Sequence, residues 1–83
     1  MPKERDDTTT RHGTIAIHLD RMLVERRVTA RDLAREVGIT EANLSLLRTG
    51  KVKGMRFQTL AAICSVLACQ PGELLSFEPE EAR

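Results

Sequence analysis

Residues 29–50 read T-A-R-D-L-A-R-E-V-G-I-T-E-A-N-L-S-L-L-R-T-G. Thr29 suits a helix N-cap, and Asp32 stands three residues later, in a capping-box arrangement. Leu33, Ala34 and Val37 then fall on one helical face, and Gly38 supplies the left-handed residue a C-cap favours. Thr40 opens a second helix only two residues later, Leu44 and Leu47 form its apolar stripe, and Gly50 closes it. The connector Gly38-Ile39-Thr40 is too short for the two helices to run back comfortably side by side. It fits a steep crossing around a tight glycine turn.

That crossing makes specific demands. A small residue must sit where the helices meet, and Ala34 is there. A residue tolerant of positive φ must sit in the turn, and Gly38 is there. Apolar residues must fasten the second helix from below, and Ile39, Leu44 and Leu47 do so, with Leu33 and Val37 opposite. Residues 30–49 therefore predict a helix-turn-helix.

Outward from this motif, Leu19, Met22 and Leu23 predict a first helix from Leu19 to Arg26, with Arg26 and Arg27 at its negative end. Before it, Ile15, Ala16, Ile17 and His18 alternate, as a short strand or a first helical turn would. After the motif comes a basic loop, 51–56. Phe57, Leu60, Ala61, Ile63, Cys64 and Leu67 then predict a main core helix over 57–68. Pro71 opens a last short helix through Leu75. The expected organisation is a disordered arm over 1–13, one domain over 14–78 and an acidic tail over 79–83. The fold class is all-α with five helices, with room for one two-stranded pairing between Ile15–Ile17 and Leu75–Phe77, within or between chains.

Composition narrows the function. With 83 residues the chain holds one domain, of a size that often gains stability by pairing. Aromatics are 2% of it, against a binder that stacks single-stranded bases on rings. Net charge is only +1, but it is unevenly spread. Residues 41–56 carry Arg48, Lys51, Lys53 and Arg56 against one acid, while 73–83 carry four glutamates against one base. Such a basic patch is either a solvated surface or an electrostatic footprint for nucleic acid. No apolar run approaches the roughly 20 residues that span a bilayer, and no export signal is visible, so the expected compartment is the cytoplasm. Cys64 and Cys69 lie five apart; on one continuous helix that puts them on different faces, suited neither to a disulfide nor to zinc, so they read as buried thiols.

The run at 29–50 resembles the Cro/repressor-type (XRE-like) helix-turn-helix regulators. The later run R-F-Q-T-L-A-A-I-C-S-V-L-A-C-Q-P-G-E-L-L, residues 56–75, looks like that family's fourth and fifth helices, and is most similar to its small YozG-like branch. The resemblance covers about residues 15–77. It implies a five-helix, lambda-repressor-like DNA-binding domain, acting as a homodimer on a palindromic operator in double-stranded DNA. The chain departs from the family at three positions. Ala30 stands where many members carry a phosphate-binding Gln. Leu23 and Arg48 stand where many pair an Arg with a Glu, so Leu23 is expected to add core and Arg48 to be free for phosphate.

With Leu44 and Leu47 inward, helical geometry turns Glu41, Ala42, Ser45 and Leu46 outward. The resemblance assigns base contacts to Thr40, Glu41, Ala42, Asn43, Ser45 and Leu46. Glu41 suits a cytosine amino group, Ala42 and Leu46 thymine methyls, and Asn43 adenine or a phosphate. The plainer account has Glu41 only favouring the helix N-terminus and Asn43 only solvated. Phosphate contacts are expected from Thr29, Arg48, Thr49, Lys51, Lys53 and Arg56, which flank the motif. Ile15, Ile17, Leu74, Leu75 and Phe77 are the dimer candidates, or else they only seal the core.

Other classes fit less well. His12 and His18 lie apart from both cysteines, no phosphate-binding glycine loop or metal-ligand spacing occurs, and neither an enzyme nor a cofactor is expected. The alternative is a protein-interaction module or antitoxin-like partner-binding protein, using Leu46 and the apolar C-terminal segment. A redox role for Cys64 and Cys69 is the third reading.

Overall fold

Both helices of the central motif start on a threonine hydroxyl. Thr29 Oγ1 accepts from the Asp32 amide at 3.0 Å, and Thr40 Oγ1 accepts from the Asn43 amide at 3.0 Å. These caps open α2 (Ala30–Val37) and α3 (Glu41–Thr49). Gly38 ends α2 at φ 89°, and the amides of both Gly38 and Ile39 return to the Ala34 carbonyl, so one residue turns the chain into the next helix. Gly50 ends α3 at φ 75°.

A computed structural model describes residues 8–80. Ahead of the motif are β1 (Thr9–Thr10), β2 (Gly13–Ile17) and α1 (Leu19–Arg26); after it come α4 (Phe57–Leu67), α5 (Pro71–Leu74) and β3 (Leu75–Pro79). Leu19, Met22 and Leu23 from α1, Leu33 and Ala34 from α2, Leu44 and Leu47 from α3, and Ile63 and Leu67 from α4 form one buried core. Leu74 and Cys69 close it from below, with Val37 and Ile39 half-buried against it. Ala34 has the small side chain that α3 needs to approach α2, and it is fully enclosed.

Helix bounds agree with the sequence reading for α1 and α2, and the fold differs from it in five places. The chain is not all-α: a three-stranded antiparallel sheet, ordered β1-β2-β3, joins its two ends. Ile15 pairs with Phe77 and Ile17 with Leu75, so the anticipated pairing is intramolecular. Leu75 belongs to this strand rather than to the last helix. The arm expected over 1–13 is ordered from Thr8 on, because Thr9 pairs with Thr14 and the Ile15 amide bonds the Thr8 carbonyl. Residues 1–7 lie outside the described part.

The other two differences concern α4 and the tail. Helix α4 stops at Leu67, and Ala68 takes a left-handed conformation at φ 51°. Phe57, read as part of its buried stripe, is 85% exposed, since it is the first helical residue and projects before α4 meets the core. Ala61, one turn later, is exposed as well. The acidic tail begins later than expected, for Pro79 still pairs with Gly13 and the Glu80 amide bonds the His12 carbonyl. Residues 81–83 lie outside the described part.

The sheet is fastened to the helices at one point. The His18 amide donates to the Leu74 carbonyl at 2.7 Å, and the His18 ring hydrogen-bonds the Ser76 hydroxyl at 2.7 Å. His18 therefore serves structure, joining the start of α1 to β3.

Candidate nucleic-acid interface

Helix α3 has two distinct sides. Leu44 and Leu47 are buried, while Thr40, Glu41, Ala42, Asn43, Ser45 and Leu46 are all exposed. These six are the residues the sequence reading assigned to bases; each is exposed, and Asn43 lines the cleft toward α4. Glu41 occupies the first turn, where a carboxylate favours the helix N-terminus. Leu46 is 44% exposed and, with Ala42, gives this side of α3 an apolar part beside its polar residues. Thr40 uses its oxygen on the Asn43 amide, which leaves the hydroxyl proton to donate outward.

Beside this face runs an open cleft of about 370 Å³, walled by Asn43, Val52, Gly54, Met55, Arg56 and Thr59. It connects α3 to the start of α4. Arg56 on its wall and Lys53 in the same loop are exposed and form no ion pair among the described residues. Lys51 is exposed too, and its amide bonds the Leu46 carbonyl at 2.9 Å, fixing where the basic loop leaves α3. Thr29 lies at the start of α2 with its hydroxyl proton still available.

Two expected phosphate ligands are placed differently. Arg48, anticipated as free, sends its Nε to Asp20 Oδ1 on α1 at 2.5 Å. The Thr49 hydroxyl donates back to the Ser45 carbonyl at 3.0 Å, so its proton is spent inside α3. Leu23 meets its expectation and lies in the core. Leu74 is buried and cannot serve a dimer surface, and Ile17 and Leu75 are half-buried; of the dimer candidates only Ile15 and Phe77 are exposed.

A sequence model of the Cro/C1-type HTH DNA-binding domain matches residues 18–80. The chain belongs to that family. This Cro/C1-type chain is 48% identical over 67 residues to the uncharacterized HTH-type transcriptional regulator YozG of Bacillus subtilis (strain 168), covering 81% of this chain and 80% of that one. Its fold is similar to that of the transcriptional regulator VanUg, with a TM-score of 0.68 at 21% identity over 92% of this chain and all of the other. A Bacteroides fragilis protein crystallised as a candidate DNA-binding protein gives the same TM-score at 22% identity, covering 76% of this chain and all of that one.

The Cro/C1-type domain has one further feature at this surface that the sequence reading missed. Arg56 is the N-cap of α4, and no side chain caps the helix there. The leading amides of α4 are therefore without a side-chain acceptor, and a cation stands beside them. The signal was available, because no Ser, Thr, Asp or Asn precedes Phe57 within the loop 51–56.

Proposed function

We propose that this chain is a transcriptional repressor that reads double-stranded DNA sequence-specifically by laying α3 in the major groove. One observation carries the reading. A single short helix buries Leu44 and Leu47 and turns six side chains outward, next to Lys53 and Arg56. The major groove admits one helix and shows each base pair as a distinct pattern of donors, acceptors and methyl groups. Glu41 and Asn43 are the polar readers, and Ala42 and Leu46 the methyl contacts. Lys51, Lys53, Arg56, the α4 amides and the Thr29 hydroxyl hold the phosphates on either side.

One such helix covers only a few base pairs, so the working unit is a homodimer on a palindromic operator, its two α3 helices about 34 Å apart. Ile15 and Phe77 lie side by side on β2 and β3, at 41% and 58% exposure, and β3 is an edge strand. That face favours a second copy of the chain over solvent. The protein would act where the DNA is, in the cytoplasm.

Selecting bound duplexes from a random pool tests the proposal. The expected outcome is a two-fold symmetric site with half-sites one helical turn apart, together with a dimeric mass at the selecting concentration. The competing reading, a partner-binding module contacting protein through Leu46, gains if random duplex at low salt shows no shift at all, since non-specific phosphate binding should appear there first.

A further inference from the structure

Cys64 and Cys69 are not on separate faces of one helix, because the helix ends between them. Ala68 adopts the left-handed conformation, and the chain reverses. The Cys69 amide then returns to the Cys64 carbonyl at 3.0 Å, while the Ala68 amide bonds the Ser65 carbonyl at 3.3 Å. That bond pattern is the Schellman motif, whose geometry lays the side chain of the sixth residue against that of the first. Here both are cysteines, and both thiols are free. Cys64 is accordingly among the groups close enough to raise the Cys69 pKa. The corner is well held. Arg26 Nε donates to the Leu67 carbonyl at 2.8 Å, its guanidinium reaches Glu73, and Gln70 and Glu73 form a capping box at α5.

We propose that Cys64 and Cys69 are a dithiol that hydroperoxides oxidise to an intramolecular disulfide inside the native fold, stapling the corner between α4 and α5. Cys64 is half-buried and is the thiol that meets the oxidant; Cys69 is buried and resolves. Burial, then the neighbouring Cys64 thiol and Glu73, raise the Cys69 pKa, while Arg26 opposes them, so Cys69 is the poorer first nucleophile. The Cys64 thiolate attacks one peroxide oxygen, the O–O bond breaks, and hydroxide leaves; Cys64 becomes a sulfenic acid. Cys69 sulfur then attacks Cys64 Sγ, the S–S bond forms, the S–O bond breaks, and the oxygen leaves as water. In sum, two thiols and one hydrogen peroxide give one disulfide and two waters.

The experiment treats the native full chain with hydrogen peroxide and reads intact mass, free thiols and thermal unfolding. The expected product is a single chain lighter by two hydrogens, about 2 Da, with no thiol left to alkylate and full reversal by dithiothreitol. Its helical circular dichroism stays unchanged and its unfolding midpoint rises by several degrees, because the cross-link restricts the unfolded chain. Cys64→Ala and Cys69→Ala each abolish that product, and Cys64→Ala also slows the first oxidation. The proposal is overturned by disulfide-linked pairs of chains, by stable oxygen adducts on Cys64 with Cys69 still alkylable, or by closure that occurs only in denaturant.

Discussion

Arg48 on α3 and Asp20 on α1 meet in an ion pair at 2.5 Å, across 28 residues of chain. The pair ties α3 to α1 at the protein surface, and it places a carboxylate next to a cation at the proposed DNA-facing side. Asp20 is 64% exposed and Arg48 38%, so solvent screens the pair. A contact of this kind contributes about 0–1 kcal/mol. Asp20→Asn should therefore shift stability by no more than about 1 kcal/mol. Its larger effect should fall on DNA. Released from Asp20, Arg48 becomes available to phosphate, and the slope of log affinity against log salt should steepen by about 0.9 per chain. Titrating random duplex at several salt concentrations reads this directly, and an unchanged slope places Arg48 off the DNA path.

The cations beyond Gly50 should act differently from the α3 side chains. Lys53→Ala with Arg56→Ala removes two exposed charges beside the uncapped start of α4. Affinity for every duplex should fall to a similar degree, and the salt slope should become shallower by about 1.8 per chain. Discrimination between the selected site and random duplex should persist, since phosphates carry no sequence information directly. Loss of discrimination with an unchanged slope would reverse these assignments.

Gly13 and Gly38 both adopt positive φ, yet they should respond differently to alanine. At Gly38, φ is 89° and a Cβ would meet nothing within 4 Å. The cost there is backbone strain alone, about 1–2 kcal/mol, partly offset by reduced freedom of the unfolded chain. At Gly13, φ is 143°, and a Cβ would collide with the Glu78 carbonyl and come within 2.8 Å of the Phe77 ring. The ring lies over the glycine, so β2 and β3 would have to separate. Gly13→Ala should cost at least about 1–3 kcal/mol more than strain alone. Thermal unfolding of the two variants ranks them, and equal midpoints would show that the sheet yields without cost.

The features legible in the sequence were those that one residue type decides locally. Thr29 and Thr40 read as caps because a hydroxyl before a helix has one favoured use, and Gly38 and Gly50 as stops because left-handed residues favour glycine. The inward and outward sides of α3 followed from the spacing of Leu44 and Leu47. What escaped depends on distant partners. The pairing of Ile15–Ile17 with Leu75–Phe77 was open in the sequence, but its extension to Gly13 and Pro79, far apart along the chain, leaves no local mark. Asp20 is equally invisible from Arg48. Ala68 takes the left-handed conformation without being glycine, so the reversal that joins Cys64 to Cys69 has no residue signature.

That non-glycine cap leads to a stabilising substitution. Ala68 at φ 51° bears the strain of a left-handed L-residue, about 1–2 kcal/mol. Glycine relieves it at an entropic cost of about 0.4–1 kcal/mol in the unfolded chain. Ala68→Gly should therefore gain roughly 0.5–1 kcal/mol, and the midpoint should rise by several degrees in a domain of this size. The side chain is exposed, so no packing is lost. A lower midpoint would mean that Ala68 is not held in the left-handed conformation in solution.

Leu44 and Leu46 stand two residues apart on α3 and should separate folding from recognition. Leu44 has no exposed surface and packs among the core residues of the other helices, so Leu44→Ala should cost about 2–5 kcal/mol. A domain this small has only some 5–15 kcal/mol of stability in total, so its unfolding midpoint should drop sharply and DNA binding should be lost with the fold. Leu46 is 44% exposed, and Leu46→Ala should change stability by no more than about 0.5 kcal/mol. If its side chain meets a thymine methyl, that variant should bind random duplex as before while losing about 1–3 kcal/mol of preference at one base pair of each half-site. Melting curves and selected-site titrations on the two variants test both halves. A Leu46→Ala protein that is equally stable and equally selective would remove Leu46 from the reading surface and leave it as a contact for another protein.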